Sequence, residues 1–194
     1  NYLLKNKLPP NSTIYLTVSS FTPKKRLNQI YEIAKYFGEK HNSNYKHFIL
    51  LGKDLTTFLK AKTFKNSSIN VIDSKNDEDN NINNLSFLYN ISNLFVLTSS
   101  IETFGRVIIE SIFFECIPIT YDISGVNKIL PKNYQLKAKN DNLKDLIRLI
   151  ELGESIINNK NQKNNFLKNL KEIPFNYDHK KIIKNHISFI ISNY

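Results

Sequence analysis

The sequence predicts an α/β fold in which a doubly wound parallel sheet carries helices on both faces. Short apolar runs alternate along the chain with longer runs whose apolar residues recur at helical spacing. This strand–helix–strand alternation requires crossover helices and therefore favours a parallel sheet. With 194 residues, 41% of them hydrophobic, the chain is long enough for one good-sized domain and too short for two ordinary ones.

Six short runs have the composition of strands. They contain few alternating polar positions, as is typical of strands that are buried on both faces. The predicted strands span residues 14–19, 48–51, 69–72, 94–98 and 117–121, with a weaker one at 134–136.

Helices are predicted from the apolar residues that recur at helical spacing between and after these strands. They cover residues 27–37, 85–91, 107–114, 143–150 and 178–193. Asp178 has the chemistry and position of an N-cap for the last helix. Residues 1–12 contain two consecutive prolines and are predicted to be a linker, and residues 13–194 are predicted to be one domain that includes the last helix.

The net charge of +10 is high. A basic surface suits nucleic acid, an anionic membrane or a ligand that carries phosphate, and it also occurs on proteins that have no such partner. The sequence shows no RNA-binding aromatic motif and no zinc module, so we do not expect nucleic acid to be the partner.

Cysteine usage and apolar content bear on the compartment. Cys116 is the one cysteine of the chain, which excludes an intrachain disulfide and favours a reducing compartment. No apolar run approaches the roughly 20 residues that span a bilayer. We therefore expect a cytoplasmic domain. Because the chain contains no Met, we also expect it to be a piece of a longer protein.

The first candidate site is the turn at residues 17–26, TVSSFTPKKR. It follows a predicted strand and precedes a predicted helix. Lys24, Lys25 and Arg26 would thus lie where free backbone N–H groups and the helix dipole already favour an anion. This pattern predicts a phosphate site, and the alternative is a solvated basic turn. The turn lacks GxGxxG and GxxxxGK[ST], so it indicates neither a dinucleotide site nor a P-loop.

The second candidate site is the stretch 98–110, TSSIETFGRVIIE. We expect a helix to begin near Phe104. There Gly105 would let a ligand approach the backbone, and free N–H groups could bind a diphosphate. Glu102 precedes this helix and Glu110 lies within it, and each carboxylate could accept hydrogen bonds from hydroxyls of a sugar or a ribose. Alternatively, Glu110 pairs with a structural cation or faces solvent.

We expect no metal site. The acidic run Asp77, Glu78, Asp79 is similar to a DxD metal motif, but its Asn-rich surroundings are typical of a loop. The histidines have no metal-ligand spacing; they are His41, His47, His179 and His186.

Residues 102–110, ETFGRVIIE, resemble the E-x7-E signature of the retaining GT-B glycosyltransferases, the "glycosyl transferases group 1" family. Residues 90–126 are similar to the core of that family's donor domain. The turn SSFTPKKR at 19–26 resembles its phosphate loop, and FILLGK at 48–53 resembles one of its strands. The similarity covers most of residues 13–131, in the expected order.

The resemblance implies that this chain is one half of a GT-B fold. It would be the C-terminal, Rossmann-like domain, which faces an N-terminal domain absent from this chain. Glu102 would contact hydroxyls of the transferred sugar, Glu110 would hold the ribose hydroxyls, and Lys25 would neutralise the departing nucleoside diphosphate. The implied catalytic residues are Glu102 and Lys25, and the implied donor-binding residues are Ser20, Lys24, Lys25, Phe104, Gly105, Arg106, Val107 and Glu110.

The implied reaction transfers a sugar from a UDP- or GDP-sugar to a glycan, a lipid-linked acceptor or a protein, with retention of anomeric configuration and without a metal or cofactor. It would serve polysaccharide or glycoconjugate biosynthesis. The isolated chain is expected to bind donor weakly and to transfer nothing. Its basic surface would suit peripheral contact with an anionic cytoplasmic leaflet.

Several positions depart from the family's pattern. Ser20 stands where the family has a phosphate-binding arginine, and Arg26 and Glu115 stand where it has glycines. The pair Ser124-Gly125 replaces two glycines. Lys24 or Arg26 could supply the missing charge. These departures keep a second hypothesis open, a non-catalytic binding or assembly module with the same fold, and a third is a basic nucleic-acid-binding α/β domain.

Overall fold

The computed structural model describes residues 8–9, 11–40, 44–55, 62–74 and 82–176, which form a seven-stranded sheet flanked by helices. The strands are β1 (Thr13–Val18), β2 (Lys46–Gly52), β3 (Lys62–Thr63), β4 (Ser67–Asp73), β5 (Leu94–Leu97), β6 (Ile117–Tyr121) and β7 (Lys137–Ala138). Their order across the sheet is β3-β4-β2-β1-β5-β6-β7. The edge strand β3 is antiparallel to β4, and all the other pairs are parallel.

Helices connect and cover these strands. They are α1 (Asn28–Glu39), α2 (Ile82–Ile91), α3 (Arg106–Phe113), α4 (Ser124–Asn127), α5 (Leu143–Asn158), α6 (Lys160–Lys168) and α7 (Ile173–Asn176), and a 3-10 turn spans Pro23–Lys25. The side of α1 that bears Ile30, Ile33 and Phe37 is buried, as its helical apolar spacing requires. Asn142 caps α5 by accepting a hydrogen bond from the backbone N–H of Asp145 at 3.0 Å.

The apolar core is continuous through the sheet. Strands β5 and β6 are buried over their whole length, which explains their uninterrupted apolar sequence. An aromatic stack joins β1 to β2, where the ring centroids of Tyr15 and Phe48 lie 4.4 Å apart. These central strands therefore form a rigid base for the loops that follow them.

The strand order reverses between β1 and β5. From β1 the chain runs outward through β2 and β4, and it then returns to pair β5 with the other side of β1. In doubly wound sheets a ligand crevice opens at the carboxyl ends of the strands at such a reversal. The loops that start at Ser19 and Thr98 meet at this point.

The sheet confirms the five stronger strand predictions, whereas the weak one at 134–136 is wrong. Tyr134 belongs to a turn: its N–H donates to the carbonyl of Pro131, and its buried hydroxyl donates to the carbonyl of Pro118 at 2.7 Å. The strand forms directly afterwards, at Lys137–Ala138. The exposed edge strand Lys62–Thr63 was not predicted because it has no apolar pattern. The helix predicted at 178–193, with its N-cap Asp178, lies outside the described residues.

Candidate active site

Hydrogen bonds join the loop after β1 to the loop after β5. The hydroxyl of Thr98 donates to the carbonyl of Lys25 at 2.7 Å, and the N–H of Ser100 donates to the carbonyl of Lys24 at 2.8 Å. These bonds fix the backbone of the basic turn against the other candidate stretch. The structure thus brings together the two segments that the sequence singles out separately.

An ion pair links the two loops at their centre. The Nζ of Lys25 donates to Oε1 of Glu102, and the hydroxyl of Ser99 donates to the same oxygen at 2.7 Å. The side chains of Lys25 and Glu102 are 23% and 12% exposed, so the pair is sheltered from solvent but reachable. A lysine has three donor hydrogens and a carboxylate about four acceptor positions, so both groups keep capacity for a ligand.

Helix α3 begins beside this pair. Gly105 precedes it with φ 77°, a left-handed backbone conformation that strongly favours glycine. The first N–H groups of a helix have no partner within the helix, which suits an anion. The helix was expected to begin near Phe104, and it begins two residues later because Gly105 adopts this turn.

A cavity of about 310 Å³ opens between the ion pair and the start of α3. A cation, a carboxylate and the start of a helix therefore share one space. Such a space can hold an anionic group and a hydroxylated group side by side. The residues that line it are Val18, Lys25, Glu102, Thr103, Phe104, Gly105, Arg106 and Val107.

Two further glycines set the shape of this edge. A Cβ atom at Gly125 would lie 2.0 Å from the carbonyl oxygen of Glu102, and one at Gly52 would lie 1.6 Å from the carbonyl oxygen of Ser19. Both glycines allow a backbone to pack directly against a loop of the site. Only one glycine of the family's pair is present at 124–125, and Gly125 is the position that this packing requires.

Glu110 lies one turn into α3 and does not line the cavity. It is half-buried, and Oε2 accepts a hydrogen bond from the hydroxyl of Tyr89 at 3.1 Å. Burial, and then the charge of Glu110, raise the pKa of Tyr89 well above its usual value, so the hydroxyl remains a donor at neutral pH. Among the described residues, the side-chain partner of Glu110 is thus a neutral hydroxyl, and no described cation pairs with Glu110.

The structure does not bring three of the basic-turn residues into the cavity. Ser20 and Lys24 are exposed and are absent from its lining. The guanidinium of Arg26 turns toward β7, where it donates to Asn140 at 3.1 Å and pairs with Asp141 at 3.2 Å. The roles assigned to Ser20 and Lys24 remain predictions.

Sequence reasoning missed the residues that support the site. Tyr89 is a buried aromatic residue in α2, and its sequence pattern is that of a core residue. Only the structure shows that its hydroxyl donates to Glu110. Ser99 is a small polar residue in a turn, and its one signal in the sequence is its position three residues before the Glu102 carboxylate, to which its hydroxyl donates.

Most residues considered for metal binding lie outside the described part of the chain: the acidic run at 77–79 and His41, His179 and His186. Within the described residues, no group of three His, Cys, Asp or Glu side chains could hold a metal ion. His47 is buried, and its Nδ1 lies 2.6 Å from the hydroxyl oxygen of Ser68. Among the described helices, none has the length and apolar content to cross a membrane.

Solved structures with the same fold are glycosyltransferases. TarM of S. aureus, in complex with fondaparinux, alpha-GlcNAc-glycerol and UDP, matches with a TM-score of 0.62 and 18% identity over 94% of this chain. HepE of Anabaena, in complex with UDP and glucose, matches with a TM-score of 0.66 and 13% identity over 100% of this chain. The catalytic domain of the Helicobacter pylori cholesterol-alpha-glucosyltransferase matches with a TM-score of 0.59 and 14% identity over 82% of this chain.

The share of each relative that is matched differs. This chain spans 37% of TarM and 51% of HepE, but 98% of the H. pylori catalytic domain. At these identities the likeness shows the fold, which is the Rossmann-like half of a GT-B glycosyltransferase. No curated protein sequence matches the chain.

The pattern of the whole sequence identifies the family. Residues 3–173 match the family described as "Glycosyl transferases group 1". This match includes both loops of the cavity and every described strand. The chain therefore belongs to the group 1 glycosyl transferases.

Proposed function

We propose that this domain binds a nucleotide-diphospho-sugar and, together with an N-terminal domain, transfers the sugar to an acceptor with retention of anomeric configuration. The observation that carries the proposal is the Lys25–Glu102 pair, which lies in a cavity at the start of α3 where the strand order reverses. The cavity offers a cation and free N–H groups for phosphates beside a carboxylate for sugar hydroxyls.

Each charged group has a chemical task in this proposal. The backbone N–H groups around residues 104–107 hold the diphosphate, and Lys25 neutralises the charge that develops as the nucleoside diphosphate departs. Glu102 accepts hydrogen bonds from hydroxyls of the transferred sugar. Glu110, which is oriented by its hydrogen bond from Tyr89, accepts hydrogen bonds from the ribose hydroxyls. In this scheme Lys25 does what a metal ion does in other transferases.

The nature of the donor and acceptor is also a proposal. TarM and HepE were both solved with UDP, which supports a UDP-sugar, and a GDP-sugar is the alternative. The acceptor is a glycan, a lipid-linked molecule or a protein, and the isolated chain transfers nothing by itself. We also propose a cytoplasmic location, which the single Cys116 supports, and peripheral contact with an anionic membrane, which the net charge of +10 supports.

Calorimetric titration of the 194-residue chain with UDP, GDP and their glucose conjugates tests donor binding. Lys25→Gln should weaken binding about 10- to 100-fold, because a charge-assisted hydrogen bond to phosphate contributes about 1.5–3 kcal/mol. The matched control is Lys35→Gln on the exposed side of α1, which should not change the affinity. Binding of none of these ligands by the unaltered chain would rule the proposal out.

Glu110→Ala tests the ribose site, with Glu115→Ala at the other end of α3 as its control. We expect the first change to lower nucleotide affinity about tenfold and the second to leave it unchanged. Equal nucleotide affinities of the two variants would show that Glu110 does not bind the ribose.

A non-catalytic module remains the second candidate, because no cation stands at position 20 and Ser20 lies outside the cavity. Such a module would bind a nucleotide sugar and transfer nothing even as part of the longer protein. Transfer by the longer protein to an acceptor, lost in its Glu102→Gln variant, would exclude this candidate.

A further inference from the structure

The charge balance of the cavity is incomplete for a diphosphate. Lys25 is paired with Glu102, so together they present no net positive charge to a ligand. A diphosphate brings several negative charges next to this partly buried pair, where uncompensated charge is costly. The inference that follows rests on the proposed function, since it asks which further cation the donor meets.

The two cations that the sequence offers for this task do not line the cavity. Arg26 is committed to Asn140 and Asp141, and its guanidinium lies 5.7 Å from the centre of the Tyr121 ring. Lys24 is fixed through its backbone carbonyl, which accepts from the loop after β5, while its side chain stays exposed and off the cavity. Neither side chain lines the cavity.

Arg106 is differently placed. It lines the cavity, it is exposed, and among the described residues no carboxylate pairs with its guanidinium. It is also the first residue of α3, where a cation is disfavoured by the helix dipole, and the first turn contains no acidic residue to offset that cost. A bound anion at the same place would turn this unfavourable arrangement into a favourable one.

We propose that Arg106 binds the diphosphate of the donor and supplies the positive charge that Ser20 does not. A guanidinium is always charged and can donate two parallel hydrogen bonds to phosphate oxygens, which a lysine cannot. Lys25 then approaches the diphosphate from the loop after β1 and Arg106 from the start of α3. The site keeps two cations, one of them now at the start of α3.

Titration with UDP and GDP separates this role from a general effect of charge. Arg106→Gln should weaken binding of the preferred nucleotide about tenfold, and Arg106→Lys should fall between that variant and the unaltered chain. Arg148→Gln is the matched control, since it removes the same charge from an exposed residue of α5 that pairs with Asp145. Lys24→Gln tests the competing cation. Arg148→Gln should bind like the unaltered chain, and Lys24→Gln should weaken binding less than Arg106→Gln does.

The outcomes are distinguishable. If the unaltered chain binds UDP or GDP and Arg106→Gln binds as tightly as Arg148→Gln, the role of Arg106 is excluded while the proposed function stands. A tenfold loss in Lys24→Gln with none in Arg106→Gln would assign the role to Lys24 instead. If the unaltered chain binds neither nucleotide, the proposed function fails and the role of Arg106 fails with it. Thermal unfolding of each variant confirms that it is folded.

Discussion

Arg26 and Glu115 occupy backbone positions that suit glycine. Arg26 has φ 47° and Glu115 has φ 58°, in the left-handed region, which costs a residue with a Cβ about 1–2 kcal/mol. The backbone strain at Arg26 is compensated by the interactions of its guanidinium with Asn140 and Asp141, on the loop before α5. Glu115 has an exposed ion pair with Lys171 at 3.4 Å, and such pairs contribute at most about 1 kcal/mol. Strain at Glu115 is therefore poorly compensated, and it lies away from the cavity.

Glu115→Gly should raise the free energy of unfolding by about 0.5–1 kcal/mol, because it removes this strain and loses only a weak ion pair. Glu115→Ala keeps the Cβ atom and loses the same pair, so it should give no gain. Urea unfolding of the two variants measures the difference. A glycine variant no more stable than the alanine variant would show that the backbone at Glu115 is not strained.

His47 should make stability depend on pH. Burial lowers the pKa of His47 to about 4, from about 6.5 in an unfolded chain. Below pH 6.5 the unfolded state therefore binds a proton that the folded state does not bind until about pH 4. The free energy of unfolding should fall over this window by up to about 3 kcal/mol.

The control for this effect is His47→Asn, since the other acidic and basic groups titrate in both proteins. The difference in unfolding free energy between the two proteins, measured at pH 7 and at pH 4.5, isolates the histidine. The variant should lose less stability on acidification. An identical pH dependence would show that His47 titrates normally in the folded state.

Residue identity alone predicted part of the candidate site. Lys25, Glu102 and Gly105 follow strands in a pattern that marks them as binding residues, and the structure places them in one cavity. The direction of a side chain is not encoded so locally. Arg106 was predicted to bind the donor and Arg26 to supply the missing charge, and only the structure shows that Arg106 lines the cavity whereas Arg26 pairs with Asp141 outside it.

The loops of the site are held by short elements packed closely together. Helix α4 contributes Gly125, which lies so near the backbone of Glu102 that no side chain fits between them. The loop after β5 bonds in turn to the loop after β1. The position of the Glu102 carboxylate therefore depends on an element later in the chain.

Gly125→Ala should displace the Glu102 loop, because the added Cβ would lie 2.0 Å from its carbonyl oxygen. We expect nucleotide affinity to fall about tenfold and stability to fall by roughly 1–3 kcal/mol. Ser124→Ala, at an exposed position of the same helix, is the matched control and should change neither. Calorimetry and thermal unfolding measure the two effects. Unchanged affinity in Gly125→Ala would mean that the loop can move without loss of the site.

Elements with a continuous apolar pattern were predictable, and those defined by a few contacts were not. Strands β5 and β6 are short, apolar and fully buried, so sequence and structure agree. Strand β3 has two exposed polar residues, and it forms because its backbone pairs with β4. Strand β7 starts after the turn around Tyr134. Because Tyr134 is aromatic and buried, it led to a strand prediction that began too early in the chain.

Across the whole domain, a buried charge cluster ties the sheet to α5 on the side away from the cavity. The Nζ of Lys46 in β2 donates to Oε2 of Glu154 in α5 at 2.7 Å, and the hydroxyl of Tyr15 in β1 donates to Oε1. The side chains of Lys46 and Glu154 are 1% and 10% exposed. Removing one partner leaves the other charge buried and uncompensated.

Glu154→Gln should lower the free energy of unfolding by about 3–5 kcal/mol, since Lys46 would lose its counter-charge. The double variant Lys46→Met/Glu154→Gln removes both charges and keeps an acceptor for Tyr15, so it should be more stable than Glu154→Gln alone. Urea unfolding of the two single variants and the double variant measures the coupling. Additive losses would show that the two charges do not depend on each other.

The central claim is that a nucleoside diphosphate binds where the strand order reverses, between the loops after β1 and β5. A crystal structure of the chain grown with UDP, or with GDP if that binds more tightly, tests it most directly. We expect the diphosphate within hydrogen-bond distance of Lys25 and the backbone N–H groups that begin α3, with the ribose toward Glu110. A nucleotide bound anywhere else on the domain, with the Lys25–Glu102 cavity empty, would contradict the claim.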